Sequence, residues 1–145
     1  MPWPEAEEWP GPPCYCGRTG CIETFLSGPG MSREHAELTG DIVDAGTIAA
    51  RAHAGDRHAD ATLRRYERRL ARALASVINV VDPDAIVLGG GLSNIGRLYE
   101  RVPALWERFV FSDRVVTKLL PARFGDASGV RGAAWLGARQ SSRNT

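Results

Sequence analysis

Cys14, Cys16 and Cys21 are the residues whose types and spacing most directly indicate chemistry. They are the only cysteines in the chain and form the pattern C-x-C-x4-C. Thiolates bind zinc well, and a structural zinc ion takes four ligands in a tetrahedron. Gly17 and Gly20 lie among them, and glycine tolerates the positive φ angles that let three sulfurs converge. The pattern therefore predicts a structural zinc loop, and the alternative is three ordinary buried cysteines.

Only three ligands are visible in this loop, and the histidines are the candidates for a fourth. The chain has three of them, His35, His53 and His58. His35 falls within a predicted helix, whereas the other two flank Gly55-Asp56 far along the chain. A solitary histidine in such a position is more often a solvated surface residue than a ligand. We therefore expect surface positions for all three.

Glu23 is a candidate ligand-binding carboxylate, since it lies two residues after the last cysteine. A carboxylate held beside a rigid metal loop is preorganised to accept charge-assisted hydrogen bonds from a ligand hydroxyl. A glutamate in the first turn of a helix also interacts favourably with the helix dipole. Both roles are open on the residues alone.

Gly89, Gly90 and Gly91 follow an apolar run and form a candidate nucleotide loop. Glycines after a buried strand let a nucleotide approach the backbone, where amide groups can meet phosphates. The alternative is a tight strand-to-helix turn that holds no ligand.

A long amphipathic helix is the clearest element that could position these residues. Apolar side chains recur at helical spacing from Leu63 to Val81, with arginines between them, before Asp82-Pro83. Capping and breaking residues predict three shorter helices before it. The first runs from about Ile22 to the breaker Gly28-Pro29-Gly30. The second is capped by Ser32, runs through Leu38 and ends at Gly40, and the third is capped by Asp44 and runs to about His53 before Gly55.

Strands and helices alternate in the second half of the chain. Ala85–Leu88 is a continuous apolar run, which suits a strand buried on both faces of a parallel sheet. A second strand is predicted within residues 114–122. Helices are predicted at about 95–109, where Pro103 kinks or splits the element, and after a cap at Asp126 or Ser128. This order indicates an α/β fold.

Composition excludes several classes of protein. With 145 residues, the chain corresponds to one domain or to one lobe of a larger enzyme. A net charge of +1 gives no field that would attract nucleic acid or a membrane surface. No apolar stretch approaches the length of a membrane span. Three clustered cysteines do not form a disulfide framework, so we expect a reducing, cytoplasmic location.

Three segments resemble the ROK family, which contains sugar kinases and related transcriptional repressors. "CYCGRTGCIETFLSG" matches the whole of the family signature C-x-C-G-x-x-G-C-x-E-x-x-x-S-G. "NVVDPDAIVLGGGLS" resembles the family's strand and glycine-rich loop, and "GDASGVRGAAW" resembles its closing helix. The resemblance covers residues 10–137, and within the family these segments are most similar to bacterial fructokinases.

The resemblance implies the C-terminal lobe of a sugar kinase with the actin-like, ribonuclease H-like ATPase fold, carrying a zinc-binding loop. Residues 1–30 would form an extended segment and the zinc loop, residues 31–140 the α/β lobe, and residues 141–145 a disordered tail. The family's first phosphate loop and catalytic aspartate belong to its N-terminal half, and no such segments occur here. We therefore expect no catalytic residue in this chain and no kinase activity from it alone.

The resemblance also assigns roles residue by residue. Cys14, Cys16 and Cys21 would bind structural zinc, with a histidine just upstream of the cysteines as the family's fourth ligand. Glu23 would bind the sugar, and Gly89–Gly91 would contact ATP, with Ser93 as a secondary candidate.

The implied activity is transfer of the ATP γ-phosphoryl group, with Mg2+, to a hexose hydroxyl, most similar to fructokinase. The alternative is the sugar-sensing domain of a ROK-type repressor. The family is commonly dimeric or tetrameric, so we expect a homo-oligomer with sugar and ATP as partners, and neither membrane nor nucleic acid.

Overall fold

The computed structural model describes residues 1–141, and side chains as far as Leu136. Its elements in chain order are α1 (Ile22–Phe25), α2 (Gly28–Thr39), α3 (Ala45–His53), α4 (Arg57–Val81), β1 (Ala85–Leu88), α5 (Leu98–Trp106), β2 (Lys118–Pro121) and α6 (Ser128–Ser141). Two 3-10 turns, Ala6–Glu8 and Gly91–Asn94, complete the list. The order is α/β, as predicted. Residues 142–145, most of the predicted tail, lie outside the described residues.

The helix α4 is the scaffold of the molecule. It begins after Asp56, whose carboxylate accepts hydrogen bonds from the first backbone amides, and ends where Asp82 turns left-handed at φ 46°. Its apolar face packs against α2, α3 and α5. The core is built around this contact, and Ile48, Leu63 and Val102 within it are fully buried. The predicted long helix is therefore confirmed. No helix within residues 1–141 is long and apolar enough to cross a membrane.

The two strands pair in parallel, with Ala85 opposite Lys118 and Leu88 opposite Pro121. We predicted that β1 would be buried on both faces, and this is wrong for the described residues. Ala85 and Val87 are exposed, and only the alternate residues of the strand turn toward the core. The reason is that the core covers a single face of this pair: Ile86, Leu88 and Leu119 pack into it, and α5 contacts β2.

The start of α2 also differs from the prediction. Gly28-Pro29-Gly30 was expected to break a helix, but these residues form the first turn of α2, and Ser27 accepts a hydrogen bond from the Gly30 amide at 3.0 Å. Proline is tolerated there because the first-turn amides have no partner within the helix. Ser32 lies inside the helix, whereas Gly40 ends it at φ 76°, as predicted.

Candidate functional site

The three cysteine sulfurs form a cluster. All three Sγ atoms lie within 4.8 Å of one another, and those of Cys16 and Cys21 are 3.6 Å apart. A disulfide would need about 2.05 Å, and all three thiols are free. Tetrahedral zinc with Zn–S bonds of about 2.3 Å separates neighbouring sulfurs by about 3.8 Å. The spacing therefore fits thiolates that share one metal ion better than it fits a disulfide.

Backbone hydrogen bonds close the loop that carries these sulfurs. The Cys14 amide donates to the Arg18 carbonyl at 2.7 Å, and the Gly17 amide donates to the Cys14 carbonyl at 3.0 Å. Gly17 and Gly20 take positive φ angles of 82° and 67°, as predicted. A Cβ at Gly20 would also lie 2.8 Å from the carbonyl oxygen of Pro10. Both the turn and the close approach of the two chain segments therefore require glycine.

The thiols influence one another's acidity. A hydrogen bond from the Arg18 amide, together with those from the other two thiols, lowers the pKa of Cys16. Hydrogen bonding with Cys16 and Cys14 raises the pKa of Cys21 to about 11. Crowded thiols resist losing more than one proton unless a cation balances the charge. A donor set of three sulfurs therefore fits a thiophilic cation such as zinc.

The histidines do not complete this set. Within the part of the chain that the structure describes, no histidine or carboxylate joins the cysteine cluster. His53 and His58 are exposed, as predicted. The prediction for His35 is wrong: it is 2% exposed, and its Nδ1 lies 3.0 Å from the hydroxyl of Thr62. It is buried because α2 packs its inner face on α4, where a hydroxyl satisfies the ring.

Glu23 is the second residue of α1 and is exposed. The helix begins directly after Cys21, whose carbonyl accepts hydrogen bonds from the amide and the hydroxyl of Thr24 at 3.0 and 2.7 Å. These bonds attach α1 to the cysteine loop. The structure therefore fixes the backbone of Glu23 two residues after Cys21 and leaves its side chain open to solvent.

The glycine loop forms a tight turn after β1, and all three glycines are exposed. Gly90 has φ 79°, and its amide donates to the Asp126 carbonyl at 3.0 Å. Ser93 is 8% exposed and donates its hydroxyl hydrogen to the Gly90 carbonyl at 2.7 Å. The Asp126 carboxylate accepts a hydrogen bond from Asn94 at 3.1 Å. Asp126 therefore stabilises the glycine loop, whereas we predicted a helix cap at Asp126 or Ser128.

An open cavity of about 840 Å³ lies beside this loop. Its walls are the first turns of α2 and α3 and the turn that begins at Gly91. Three glycines line it, Gly28, Gly46 and Gly91, so much of its wall is backbone. Among the lining residues in the described part of the chain, the charged one is Asp44, which caps α3 by accepting hydrogen bonds from the amide and hydroxyl of Thr47 at 2.9 and 3.0 Å.

Sequence reasoning did not identify this cavity. The capping role of Asp44 was visible in the sequence, and the structure confirms it. The sequence does not show that the starts of α2 and α3 lie beside the turn at Gly91, some 45 residues after the start of α3. This proximity depends on how α2 and α3 pack.

Comparisons with known proteins all indicate the same family. The model of the ROK family matches residues 6–140. N-acetyl-D-glucosamine kinase of Pasteurella multocida is 37% identical over 123 residues, which are 85% of this chain and 40% of that enzyme. The chain thus spans about two fifths of the length of the curated relatives it matches.

Two solved structures carry the same likeness. A ROK family glucokinase from Streptomyces griseus, in complex with glucose and AMPPNP, superposes with a TM-score of 0.76 and 28% identity, over 87% of this chain and 47% of that one. A ROK family transcriptional regulator, a homologue of the E. coli MLC protein, gives 0.66 and 25%, over 78% of this chain and 32% of its own. The expected α/β fold is confirmed, its structural neighbours include a ROK sugar kinase, and this chain belongs to the ROK family.

Proposed function

We propose that this chain is the part of an ATP-dependent hexose kinase that carries the metal loop, a sugar-binding carboxylate and the nucleotide-side glycine turn. The observation that carries the proposal is the cavity beside Gly91, which opens between two helix starts in a lobe that resembles a kinase crystallised with AMPPNP. Its apolar and backbone walls suit a flat nucleoside better than a charged group.

In this proposal Cys14, Cys16 and Cys21 hold a zinc ion, which when bound supplies a structural cross-link and no reaction chemistry. The cysteine loop then presents Glu23 to a sugar hydroxyl. A carboxylate held in place before binding loses little entropy when the sugar arrives, and charged acceptors make the stronger hydrogen bonds.

Phosphoryl transfer depends on positioning and on charge stabilisation by Mg2+, with an aspartate to accept the proton of the sugar hydroxyl. The family's segment for that aspartate does not occur in residues 1–145. We therefore propose that the chain binds nucleotide and sugar groups but turns over no substrate by itself.

The identity of the hexose is a finer proposal. The cysteine motif resembles fructokinases, which favours fructose, whereas the curated relative from Pasteurella multocida is an N-acetyl-D-glucosamine kinase. Complementation of this chain with the N-terminal half of a relative, assayed on fructose, glucose and N-acetyl-D-glucosamine, would discriminate between them. Phosphorylation of fructose at the highest kcat/KM is the expected result, and a preference for N-acetyl-D-glucosamine would refute it.

Nucleotide binding tests the proposal with the chain as it is. Gly91→Val adds three carbons to the wall of the cavity, and a Cβ added at Gly91 meets no atom within 4 Å, so the fold should tolerate it. Gly96→Val is the matched control, because Gly96 has the same free space and does not line the cavity. Calorimetry with Mg2+-AMPPNP should show binding that Gly91→Val weakens at least ten-fold and Gly96→Val leaves unchanged. Equal binding by both variants would contradict the proposal.

A sugar-sensing domain of a repressor is the second candidate, and the likeness to the ROK family regulator favours it. The two candidates differ in the nucleotide. A sensor would bind sugar and show no affinity for Mg2+-AMPPNP at millimolar concentration, whereas the kinase lobe would bind the nucleotide.

A further inference from the structure

Arg69 occupies a central position on α4 and is 8% exposed. Its Nε donates to Glu8 at 2.6 Å, and its two terminal nitrogens donate to the two carboxylate oxygens of Glu34 at 2.7 and 2.9 Å. The guanidinium also lies over the ring of Phe25, 4.9 Å from its centroid. One side chain therefore joins the N-terminal segment, α2 and α1 to the central helix.

Glu8 is fully committed to this network. It is 6% exposed, and its carboxylate also accepts hydrogen bonds from Arg72 at 2.6 and 2.7 Å and from the Glu5 amide at 2.9 Å. Buried charge pairs with bidentate geometry hold their partners in one orientation. The segment that enters the cysteine loop is therefore anchored at Glu8.

Two of the three partners of Arg69, Glu8 and Phe25, lie on opposite sides of the cysteine loop in sequence. Glu8 precedes Cys14 by six residues, and Phe25 follows Cys21 by four. Between them the two arms of the loop run side by side, since the Gly20 amide donates to the Pro12 carbonyl at 2.9 Å and a Cβ at Gly11 would lie 2.5 Å from Gly20. Arg69 thus bridges the base of a loop whose arms are already in contact.

We infer that Arg69 is a positioning residue for the cysteine loop: by holding Glu8 and Phe25 together it fixes where the three sulfurs and Glu23 stand. The inference deepens the proposed function, because it rests on the metal site proposed there. Ordering a loop costs conformational entropy. If the loop is already closed before a ligand binds, this cost does not weaken binding. Residues that orient metal ligands from outside the ligand set commonly change metal affinity by 10- to 100-fold.

A different result is expected if Arg69 only stabilises the fold and does not position the cysteine loop. If its ion pairs only attach α2 to α4, substitution would lower global stability and leave the metal affinity unchanged. Metal affinity and local loop motion must therefore be measured beside global stability.

Cobalt titration of the purified chain provides the first test, because cobalt bound by thiolates absorbs visible light. Arg69→Lys keeps the charge and loses the forked geometry, and Phe25→Leu leaves the ion pairs in place. Arg68→Lys is the matched control, since Arg68 is the exposed neighbour on the same helix. We expect cobalt binding about ten-fold weaker in Arg69→Lys, weakened in the same direction in Phe25→Leu, and unchanged in Arg68→Lys. Wild-type affinity in Arg69→Lys, with normal helical circular dichroism, would overturn the inference.

Amide hydrogen exchange in the metal-free chain provides a test that does not depend on the metal site. Amides 14–24 should exchange at least ten-fold faster in Arg69→Lys than in the wild type, while amides in the middle of α4 keep their protection. If Arg69→Lys fails to fold, Phe25→Leu answers the same question with the ion pairs intact.

The two possible failures are distinguishable. No cobalt uptake by the wild type would refute the metal site of the proposed function, while hydrogen exchange would still decide the role of Arg69. Unchanged loop exchange in both variants would overturn the inference even if the wild type binds metal.

Discussion

At the scale of single residues, the Glu23 side chain is accessible to a ligand because the cysteine loop ends at Cys21, directly before the helix that carries it. It is exposed, and its carboxylate has no hydrogen-bond or ion-pair partner among the described residues. The bonds that fix α1 to the Cys21 carbonyl pass through Thr24 instead. Its neighbours therefore supply the rigidity, and the Glu23 oxygens remain free for a ligand.

Replacing Cys14, Cys16 and Cys21 together with serine should abolish metal binding, because serine hydroxyls are poor zinc ligands at neutral pH. The wild-type chain, purified with zinc and dialysed, should retain about one zinc per chain in elemental analysis. Cys16→Ser alone should weaken retention without abolishing it. Metal content that is the same in the triple variant and the wild type would show that the zinc lies elsewhere.

Glu23→Gln should weaken sugar binding more than nucleotide binding. The loss of a hydrogen bond to a charged group typically costs about 1.5–3 kcal/mol, so the KM for the sugar should rise about 10- to 150-fold in the complemented enzyme. The KM for ATP should change little. Glu100→Gln, at an exposed position on α5, is the control. A parallel rise in both constants would mean that Glu23 supports the loop rather than the sugar.

At the scale of elements, a buried charge network attaches the N-terminal segment to α4. Burial raises the pKa of Glu8, but the hydrogen bonds from Arg69, the Glu5 amide and Arg72 outweigh it, and the net pKa lies below its ordinary value of 4.5. Each of these arginines also pairs with a second carboxylate. Arg69 pairs with Glu34, and Arg72 pairs with Glu5 at 3.1 Å. A lowered carboxyl pKa stabilises the fold only while the group is ionised.

The sign of the pH dependence follows from that shift. The unfolded chain takes up the Glu8 proton near pH 4.5, and the folded chain takes it up at a lower pH. Its contribution is therefore complete above about pH 4.5 and is lost as the pH falls through the folded-state pKa. Urea unfolding between pH 3 and pH 7 measures this contribution. Glu8→Gln should lower the free energy of unfolding by about 1–3 kcal/mol at pH 7. It should also make the acid limb, which is the decrease of this free energy as the pH falls, less steep.

Glu7→Gln is the matched control for this experiment, because Glu7 is the exposed neighbour of Glu8 in the same turn. It should reproduce the wild-type curve at every pH. An acid limb of wild-type steepness in Glu8→Gln would assign the pH dependence to other carboxylates.

At the scale of the whole molecule, an apolar surface remains exposed on the outer face of the two strands. Val87 and Leu120 are partners in the parallel ladder and are 58% and 41% exposed, and Phe124, three residues after the end of β2, is 66% exposed. Leu119, on the opposite face of β2, is buried at 6%. Contiguous apolar surface of this kind promotes association.

Substitution of both Val87 and Leu120 with threonine should reduce binding of the dye ANS and reduce self-association in light scattering, with little loss of stability. Threonine is β-branched, like the valine that it replaces at position 87, and suits a strand at both positions. Leu119→Ala should instead cost about 2–5 kcal/mol, because it removes buried side-chain volume. Unchanged dye binding in the double variant would mean that ANS binds to an apolar surface elsewhere on the molecule.

Features that depend on neighbouring residues could be predicted from the sequence. The long helix α4 follows from apolar spacing, its end from Asp82-Pro83, and the start of α3 from Asp44. The positive φ angles at Gly17 and Gly20 follow in the same way, because a loop that brings three sulfurs together within eight residues must turn sharply. The cysteine motif also sufficed to indicate the family.

Features that depend on distant contacts required the tertiary structure. His35 is buried because α2 lies against Thr62, and α2 begins at Gly28 because a first turn can accommodate proline. Glu8 meets Arg69 across 61 residues of sequence. No periodic pattern marks such a pair, since its energy comes from burial and geometry rather than from local conformation. The sequence alone thus determined which groups could bind metal and sugar, whereas packing on α4 decided what holds them in place.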